Sequence, residues 1–134
     1  GFVSCRSQVL NPPLNLSQYL GLKLEVEGQG RTLKLAVACR ERMMLGFSEL
    51  ITGGLRWVVD FPTNVSSSTS IYIPFSKFHP TVQAKPVNLP FSFNSSSITQ
   101  FQLLHSKFGD SGELNPGFRP GNIRILLRSI SAFA

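Results

Sequence analysis

The chain of 134 residues is long enough for one domain and leaves little room for two. Hydrophobic residues make up 42% of it and charged residues only 15%, which excludes an intrinsically disordered chain, because disorder combines low hydrophobicity with high charge. No apolar run approaches the roughly 18 residues of a membrane-spanning helix. We predict a single domain over residues 1–134, and the absence of an initiating Met predicts that it is part of a longer chain.

The N-terminal third of the sequence predicts three strands. Residues 2–7 form a short run that ends at Asn11-Pro12-Pro13, since proline donates no hydrogen bond to a sheet. Apolar and polar residues then alternate over residues 22–27 and again over residues 32–37, a period typical of strands with one buried face. Gly28-Gln29-Gly30 suits a tight turn between them. We therefore predict a β-hairpin whose core-facing residues are Leu22, Leu24, Val26, Leu33, Leu35 and Val37.

Four more strands follow along the rest of the chain, bounded mostly by glycine, proline and serine. They cover residues 56–61, 71–73, 98–105 and 122–132. Residues 40–50 have no clear period and predict a strand or a loop. About seven short strands with turn residues between them predict an all-β fold, an antiparallel two-sheet sandwich of the jelly-roll type.

The thirteen Lys and Arg residues outnumber the seven Asp and Glu residues and give a formal net charge of +6. A basic surface attracts acidic partners such as RNA, an anionic membrane face or an acidic protein. A solvated basic face without a ligand explains the same count equally well.

The two cysteines allow at most one disulfide, so the chain is not a disulfide-rich scaffold. Cys5 and Cys39 both lie in apolar, strand-like stretches, where a thiol commonly acts as a small buried hydrophobe. We expect both thiols to be reduced and buried.

Catalytic and metal-binding motifs find little support in the sequence. Gly109-Asp110-Ser111-Gly112 is similar to the nucleophile loop of chymotrypsin-like proteases, but that chemistry needs a base beside the serine, and neither His79 nor His105 has a matching context. Metal-ligating residue types do not cluster at ligand spacing, and no phosphate-binding glycine loop occurs. We predict a domain that is not an enzyme and has no cofactor and no metal site, with a calcium site built from loop carbonyls left open.

Basic residues supply the first candidate binding surface. Arg124 and Arg128 lie four apart on one predicted strand and therefore share a face. Arg40, Arg42 and Arg56 are candidates to extend that patch. Binding of single-stranded RNA would combine such a basic track with aromatic rings.

Aromatic and methionine residues supply the second candidate binding surface. Sugar binding needs rings that stack on the ligand, and Trp57, Tyr19 and Tyr72 are available, although core packing is the expected fate of Trp57. Met43 and Met44 suit an adaptable surface for a protein partner, and burial explains them equally well. The predicted partner-binding residues are Arg40, Arg42, Met43, Met44, Arg56, Trp57, Arg124 and Arg128.

Five short blocks occur in a fixed order along nearly the whole chain. They are GFVSCRS at residues 1–7, LSQYLGL at 16–22, VEGQGR at 26–31, IPFSKFHP at 73–80 and SISAF at 129–133. Together they resemble the complex I intermediate-associated protein 30 domain family. A sixth block, SKFGDSGELNPGFRPG at 106–121, is similar to the version found in cyanobacteria and plastids, often joined to a short-chain dehydrogenase-like domain.

The resemblance implies a galactose-binding-like jelly roll of two antiparallel sheets. It also implies a role in assembly or biogenesis of membrane electron-transfer complexes, namely complex I in mitochondria or photosystems in plastids. We predict a non-catalytic domain that docks protein subunits or assembly factors of such a complex, with an RNA-binding module and a carbohydrate-binding module as alternatives. The implied compartment is the cyanobacterial cytoplasm or thylakoid surface or the chloroplast stroma, with the mitochondrial matrix as the alternative.

The sequence departs from the family pattern in several places. Gln29 stands where the family usually has the Asp of Gly-Asp-Gly-Arg, so a role that depends on a turn carboxylate is not expected here. Ser and Thr stand where a Trp often precedes Pro-Phe-Ser, and Gly121-Asn122-Ile123 stands where Gly-Pro-Phe is common. The blocks begin after the strands with which the family usually opens. Either the domain is incomplete here, or residues beyond this sequence complete it.

Overall fold

The computed structural model describes residues 2–40 and 54–134, which form a sandwich of two antiparallel sheets. Within these residues the strands are β1 (Phe2–Arg6), β2 (Gly21–Glu27), β3 (Leu33–Cys39), β4 (Leu55–Phe61), β5 (Thr69–Pro74), β6 (His79–Val82), β7 (Lys85–Pro86), β8 (Ile98–Ser106) and β9 (Leu126–Phe133), with a 3-10 helix at Phe75–Lys77 between β5 and β6.

The two sheets differ in size. The larger sheet has the strand order β1-β8-β3-β4-β6-β7, and the smaller sheet has the order β5-β2-β9. All of the strand pairs are antiparallel. The predicted all-β, two-sheet jelly-roll class is therefore confirmed, and β1 and β9 are edge strands of their sheets in the described part of the chain.

The predicted hairpin of β2 with β3 is wrong, although both strands exist. β2 pairs with β5 and β9 in the smaller sheet, whereas β3 pairs with β4 and β8 in the larger sheet. Residues 28–32 therefore cross from one sheet to the other. Alternation shows which face of a strand is buried but not whether the next strand lies beside it or opposite it, so facing strands satisfy the same pattern.

The core lies between the apolar faces of these two strands. All six residues that the alternation predicts are buried, with exposures of 1% or less: Leu22, Leu24, Val26, Leu33, Leu35 and Val37. An aromatic layer extends the core under the 3-10 helix, where the rings of Phe78 and Phe93 stack at 5.0 Å and Phe75 stacks on Phe93 at 5.3 Å. Burial of facing apolar side chains is the main stabilising contribution in such a sandwich.

The remaining strands agree with the sequence pattern to different degrees. β4, β5 and β8 are confirmed within two residues, while β9 begins at Leu126, four residues later than predicted. β6 and β7 were not predicted, because Pro80 and Pro86 remove backbone donors and argue against a sheet. Both strands lie at or next to the edge of the larger sheet, where proline is tolerated. Most of the stretch 40–50, predicted as strand or loop, falls outside the described residues.

Truncation of a residue between the two sheets tests this core. We expect Leu24→Ala to lower the free energy of unfolding by about 3 kcal/mol, because the side chain is 0% exposed and its removal leaves a cavity. Urea denaturation followed by circular dichroism measures the change. Val65→Ala, at a side chain that is 77% exposed, is the control and should change stability by less than about 0.5 kcal/mol. Equal effects of the two substitutions would contradict the strand assignment.

Candidate docking surface

The segment that enters β9 presents different side chains on its two sides. Arg124, Leu126 and Arg128 are exposed, whereas Ile123, Ile125 and Leu127 between them are half-buried. This is the period of a strand, in which successive side chains point to opposite faces. The segment therefore has one cationic side and one apolar side.

The cationic side lines a cavity of about 370 Å³, which we name the arginine pocket. It lies between the end of β2, the start of β9 and the serine-rich loop that precedes β5. Its lining residues are Glu27, Gln29, Val65, Ser66, Ser67, Arg124, Leu126 and Arg128. The predicted shared face of Arg124 and Arg128 is thus found in the structure, since both line one pocket.

A β-bulge places Arg128 in this pocket. The register of β2 against β9 shifts between Glu25 and Val26, and Arg128 is the extra residue opposite the shift. Its guanidinium donates to Oε2 of Glu27 from Nε at 3.1 Å and from an Nη nitrogen at 2.7 Å. Both side chains are partly exposed to solvent, so this ion pair orients the arginine more than it stabilises the fold.

Gln29 is the point where the neighbouring arginines meet. Its Oε1 accepts a hydrogen bond from the Arg31 guanidinium at 2.8 Å and from the backbone N–H of Arg124 at 3.2 Å. Its backbone oxygen accepts from the Arg119 guanidinium at 2.8 Å. Gln29 and Gly30 both have positive φ, at 57° and 79°, which lets the chain turn sharply between the sheets.

Arg31 is the buried member of this group, with 3% of its surface exposed. Besides Gln29, its guanidinium donates to the backbone oxygen of Asn122 at 2.9 Å, and its Nε has no hydrogen-bond partner in the described structure. Burial lowers the pKa of the Arg31 guanidinium, and the nearby charge of Arg119 lowers it further. Both hydrogen-bond acceptors are neutral oxygens, although a buried charge normally has an ionic partner.

The apolar side of the β9 segment lines a second cavity of about 260 Å³, which we name the apolar groove. It separates β1 from the start of β9. The lining residues are Val3, Ser4, Cys5, Leu103, Ile123, Ile125 and Leu127. Val3 and Cys5 lie opposite core-side residues of β8, yet every residue of β1 is exposed, because no strand of the smaller sheet in the described residues covers it.

The two cysteines are less buried than the sequence predicts. Cys5 is exposed and Cys39 is only half-buried, and the reduced state of both thiols stays a prediction. The prediction of burial was wrong for Cys5 because an apolar strand at a sheet edge need not be covered on its inner side.

The structure places Trp57 in the core rather than on a surface. It exposes 3% of its area and packs against Phe91 and Phe93 at ring distances of 6.5 and 5.7 Å. A buried ring cannot stack on a sugar or a base, so Trp57 is not available as a platform in this conformation. Tyr19 and Tyr72 are 44% and 57% exposed.

The other predicted arginines are not part of the arginine pocket. Arg56 lies on the outward face of the larger sheet, where burial and then the charge of Arg6 lower the pKa of its guanidinium. Arg40 follows β3, and its backbone N–H donates to Ser97 at 2.7 Å. The outer face of the smaller sheet, which holds Arg128, is on the opposite side of the sandwich.

Three further predicted partner-binding residues lie outside the described residues: Arg42, Met43 and Met44.

The glycine-rich loop after β8 is fixed to the larger sheet by reciprocal hydrogen bonds. The Asp60 N–H donates to Asp110 at 3.0 Å, and the Asp110 N–H donates to Asp60 at 2.8 Å. Lys34, 8% exposed, donates to the backbone oxygens of Phe108 and Gly109 at 3.2 and 3.3 Å. Asp110 of the Gly-Asp-Ser-Gly sequence is thus engaged in holding the loop on the sheet.

Neither a membrane-spanning helix nor a cluster of metal-ligand residues is found in the described parts of the chain. Over residues 2–40 and 54–134, no helix is both long enough and apolar enough to cross a membrane. Over the same ranges, no three residues of the His, Cys, Asp and Glu types come together in a way that could hold a metal ion.

Comparison with protein families decides the relationship that the sequence blocks suggest. The family described as Complex I intermediate-associated protein 30 (CIA30) matches residues 1–127. This chain belongs to the CIA30 family. The predicted family is confirmed, and the cyanobacterial or plastid type stays a prediction.

Similar proteins were found both by sequence and by fold. An uncharacterised protein of Schizosaccharomyces pombe is 25% identical over 133 residues, which are 98% of this chain and 57% of that protein. The family 11 carbohydrate-binding module of the cellulosomal cellulase Lic26A-Cel5E of Clostridium thermocellum has a TM-score of 0.64 at 15% identity, over 98% of this chain and 66% of the module. The Clostridium thermocellum module in complex with a β-1,3-1,4-mixed-linked tetrasaccharide has a TM-score of 0.59 at 13% identity, over 99% and 84% of the two chains. At such identities the likeness establishes the fold of this CIA30-family chain.

Sequence reasoning missed the two arginines that bond to Gln29 beside the arginine pocket. Arg31 and Arg119 are far apart in sequence, and only the crossing of residues 28–32 between the sheets brings them to Gln29. The one available signal was the replacement of the usual CIA30 turn Asp by Gln29, since the acceptors of the Arg31 guanidinium in the described residues are then neutral oxygens.

The Asp60 carboxyl gives the domain a testable pH dependence. Burial raises the pKa of the Asp60 carboxyl above its ordinary value, and the charge of Asp110 also raises it. The hydrogen bond from the Asp110 N–H and the charges of Lys34 and His79 lower the pKa, but the net shift is upward. A raised pKa means that the folded state favours the protonated carboxyl. The stability that this carboxyl contributes is therefore complete below its ordinary pKa of about 4, and it is lost as the pH rises through the pKa of the folded state.

We therefore expect Asp60→Asn to gain stability relative to the parent chain as the pH rises from 4 to 7, because Asn keeps an acceptor for the Asp110 N–H and carries no charge. Urea unfolding at several pH values measures the difference between the two proteins. Glu113→Gln removes an exposed charge from the same loop and is the control. A difference that is flat with pH, or that follows the control at each pH, would show that Asp60 has no such role.

Proposed function

We propose that this domain is a non-catalytic docking module that acts in assembly or biogenesis of a membrane electron-transfer complex by holding a protein partner. The observation that carries the proposal is membership of the CIA30 family over residues 1–127, since the family is described by its association with complex I intermediates. An NADH dehydrogenase-like complex and a photosystem are the two classes of complex proposed. The chain spans 57% of the fission-yeast relative, so the proposal concerns this domain and not a whole protein.

The proposed docking surface is the exposed segment 123–128 with the two cavities that flank it. Arg124 and Arg128 provide charge that steers an acidic partner, and rim charges of this kind act mainly on association rate and specificity. Leu126 is 43% exposed between them and offers apolar area for contact. A surface that combines aliphatic and guanidinium groups has the composition of a protein-binding site.

The chemistry of this surface supports binding rather than catalysis. Its carboxylate, Glu27, is held by Arg128 in an ion pair and is not free to act as a general base. The serine hydroxyls of the pocket lie on a loop, and the one base among the lining residues is this paired carboxylate. The proposed compartments are those in which such complexes are assembled: the cyanobacterial cytoplasm, the chloroplast stroma or the mitochondrial matrix.

Carbohydrate binding is the second candidate, because both solved structures compared above are carbohydrate-binding modules. Burial of Trp57 removes one of the three predicted platforms, and the other two, Tyr19 and Tyr72, are exposed. A glycan array of the chain and of Tyr72→Ala separates this candidate from protein docking. Binding that Tyr72→Ala abolishes would favour the carbohydrate candidate.

Affinity capture tests the docking proposal directly. The chain is used as bait in a mildly solubilised membrane and soluble extract of the organism that produces it, and captured proteins are identified by mass spectrometry. We expect subunits or assembly factors of a membrane electron-transfer complex, and we expect the double variant Arg124→Gln, Arg128→Gln to recover at least about fivefold less, the effect of losing roughly 1 kcal/mol of interaction.

The matched control for that experiment is Lys85→Gln, Lys107→Gln, which removes two exposed charges from the region of the larger sheet. It should leave capture unchanged. Recovery of no such protein would contradict the proposed function, and equal losses in both variants would contradict the proposed surface.

A further inference from the structure

The arginine pocket and its surroundings carry an excess of positive charge. Four guanidinium groups surround Gln29: those of Arg31 and Arg119 bond to it, and those of Arg124 and Arg128 line the pocket with it. Among the lining and hydrogen-bonded residues of the described chain the one carboxylate is Glu27, which Arg128 already engages. The region therefore attracts an anion.

The most buried of these cations has no counter-ion among the residues that the structure describes. Arg31 is 97% removed from solvent, both of its acceptors are neutral oxygens, and its Nε has no partner within residues 2–40 and 54–134. Leaving a buried charge without an ionic partner is costly, and a negative charge placed nearby lowers that cost. An anion in the adjacent pocket would provide such a charge from outside the fold.

Gln29 is the side chain that keeps the region unneutralised. Its amide oxygen accepts hydrogen bonds from Arg31 and from the N–H of Arg124, the two contacts that a carboxylate would make more strongly. A Glu at this position would have the same shape and would supply an internal counter-ion. The neutral amide maintains the geometry and leaves the positive charge uncompensated.

We infer that the arginine pocket is a carboxylate-binding site that receives an Asp or Glu side chain from an acidic segment of a protein partner. The inference deepens the proposed docking function and rests on it. Arg124 provides the guanidinium for which the structure shows no carboxylate partner in the pocket, and the hydroxyls of Ser66 and Ser67 are further donors.

The lining favours a peptide over a nucleic acid. A volume of about 370 Å³ fits one acidic side chain with part of its backbone, near the lower end of ligand sites. Val65 and Leu126 are 77% and 43% exposed, and they offer aliphatic contacts to the side chains that flank the acidic residue in the partner. None of the lining residues is aromatic, whereas single-stranded nucleic acids are commonly held by stacking of bases on aromatic rings.

The decisive experiment is isothermal titration of the whole chain and its variants with a blocked Glu-Ala repeat decapeptide at low ionic strength. We expect the parent chain to bind it and Gln29→Glu to bind about tenfold more weakly, since the new carboxylate neutralises Arg31 and repels the ligand. Arg124→Gln should weaken binding by a similar factor. Raising the salt concentration should weaken binding to the parent chain.

Gln8→Glu is the matched control, because it makes the same change at an exposed position outside the pocket. It should leave the affinity within about twofold of the parent value, because a single exposed charge contributes little. A second readout does not depend on the ligand: Gln29→Glu should raise the midpoint of thermal unfolding, because Arg31 gains an ionic partner, whereas Gln8→Glu should not.

Three outcomes would overturn the inference: no binding of the peptide by the parent chain, equal affinities of Gln29→Glu and Gln8→Glu, or tighter binding of a single-stranded RNA oligonucleotide that is weakened by the same variants. These outcomes are separable from failure of the proposed function. If the peptide shows the expected pattern while affinity capture yields no assembly protein, the docking function fails and the carboxylate site stands. If capture depends on Arg124 and Arg128 but Gln29→Glu has no effect on the peptide, the carboxylate site fails alone.

Discussion

Packing of the apolar faces of β2 and β3 against each other across the sandwich is the constraint on which the rest of the structure depends. Leu24 and Leu35 are among the least exposed side chains of the domain, and the strands that bear them belong to different sheets. The chain must therefore pass between sheets within residues 28–32. This short crossing is held at Gly30, whose N–H donates to Asn64 at 2.8 Å, and at Arg31, whose backbone oxygen accepts from Thr63 at 2.6 Å.

The crossing also determines where the charges lie. Gln29 is at its exposed tip, while Arg31, two residues before the first core leucine of β3, is drawn into the end of the sandwich. The loop that follows β8 and the segment that leads into β9 end at the same place, which brings Arg119 and Arg124 to Gln29. A crossing between sheets is a geometrical necessity of the core, and here it gathers cations from two distant parts of the sequence, residue 31 and residues 119–124.

The sequence predicts the elements of this fold better than their arrangement. Strict alternation at 22–27 and 32–37 identifies both strands and all six core residues, since burial of one face is a local property of the pattern. It cannot identify pairing partners, because a strand beside β2 and a strand opposite β2 place the same residues in the core. Arg124 and Arg128 were found from their spacing alone. The contacts of Arg119 and Arg124 with Gln29 join residues about 90 apart in sequence, and a local pattern holds no information about them. Trp57 could be assigned to the core or to a site only once its neighbours were known.

The buried arginine is informative because a single carboxylate in the turn could compensate its charge, and the described structure holds none there. A carboxylate at position 29 is compatible with the turn, since Asp tolerates a positive φ and Glu would adopt the conformation that Gln29 already has, and it would neutralise Arg31 at little structural cost. Stability alone would therefore favour an acid at this position. Proteins commonly accept a loss of stability at sites that bind ligands, where groups are left unsatisfied until the partner arrives. The amide at Gln29 fits that pattern, because it holds the Arg31 guanidinium and the backbone N–H of Arg124 in place and does not neutralise the positive charge of Arg31.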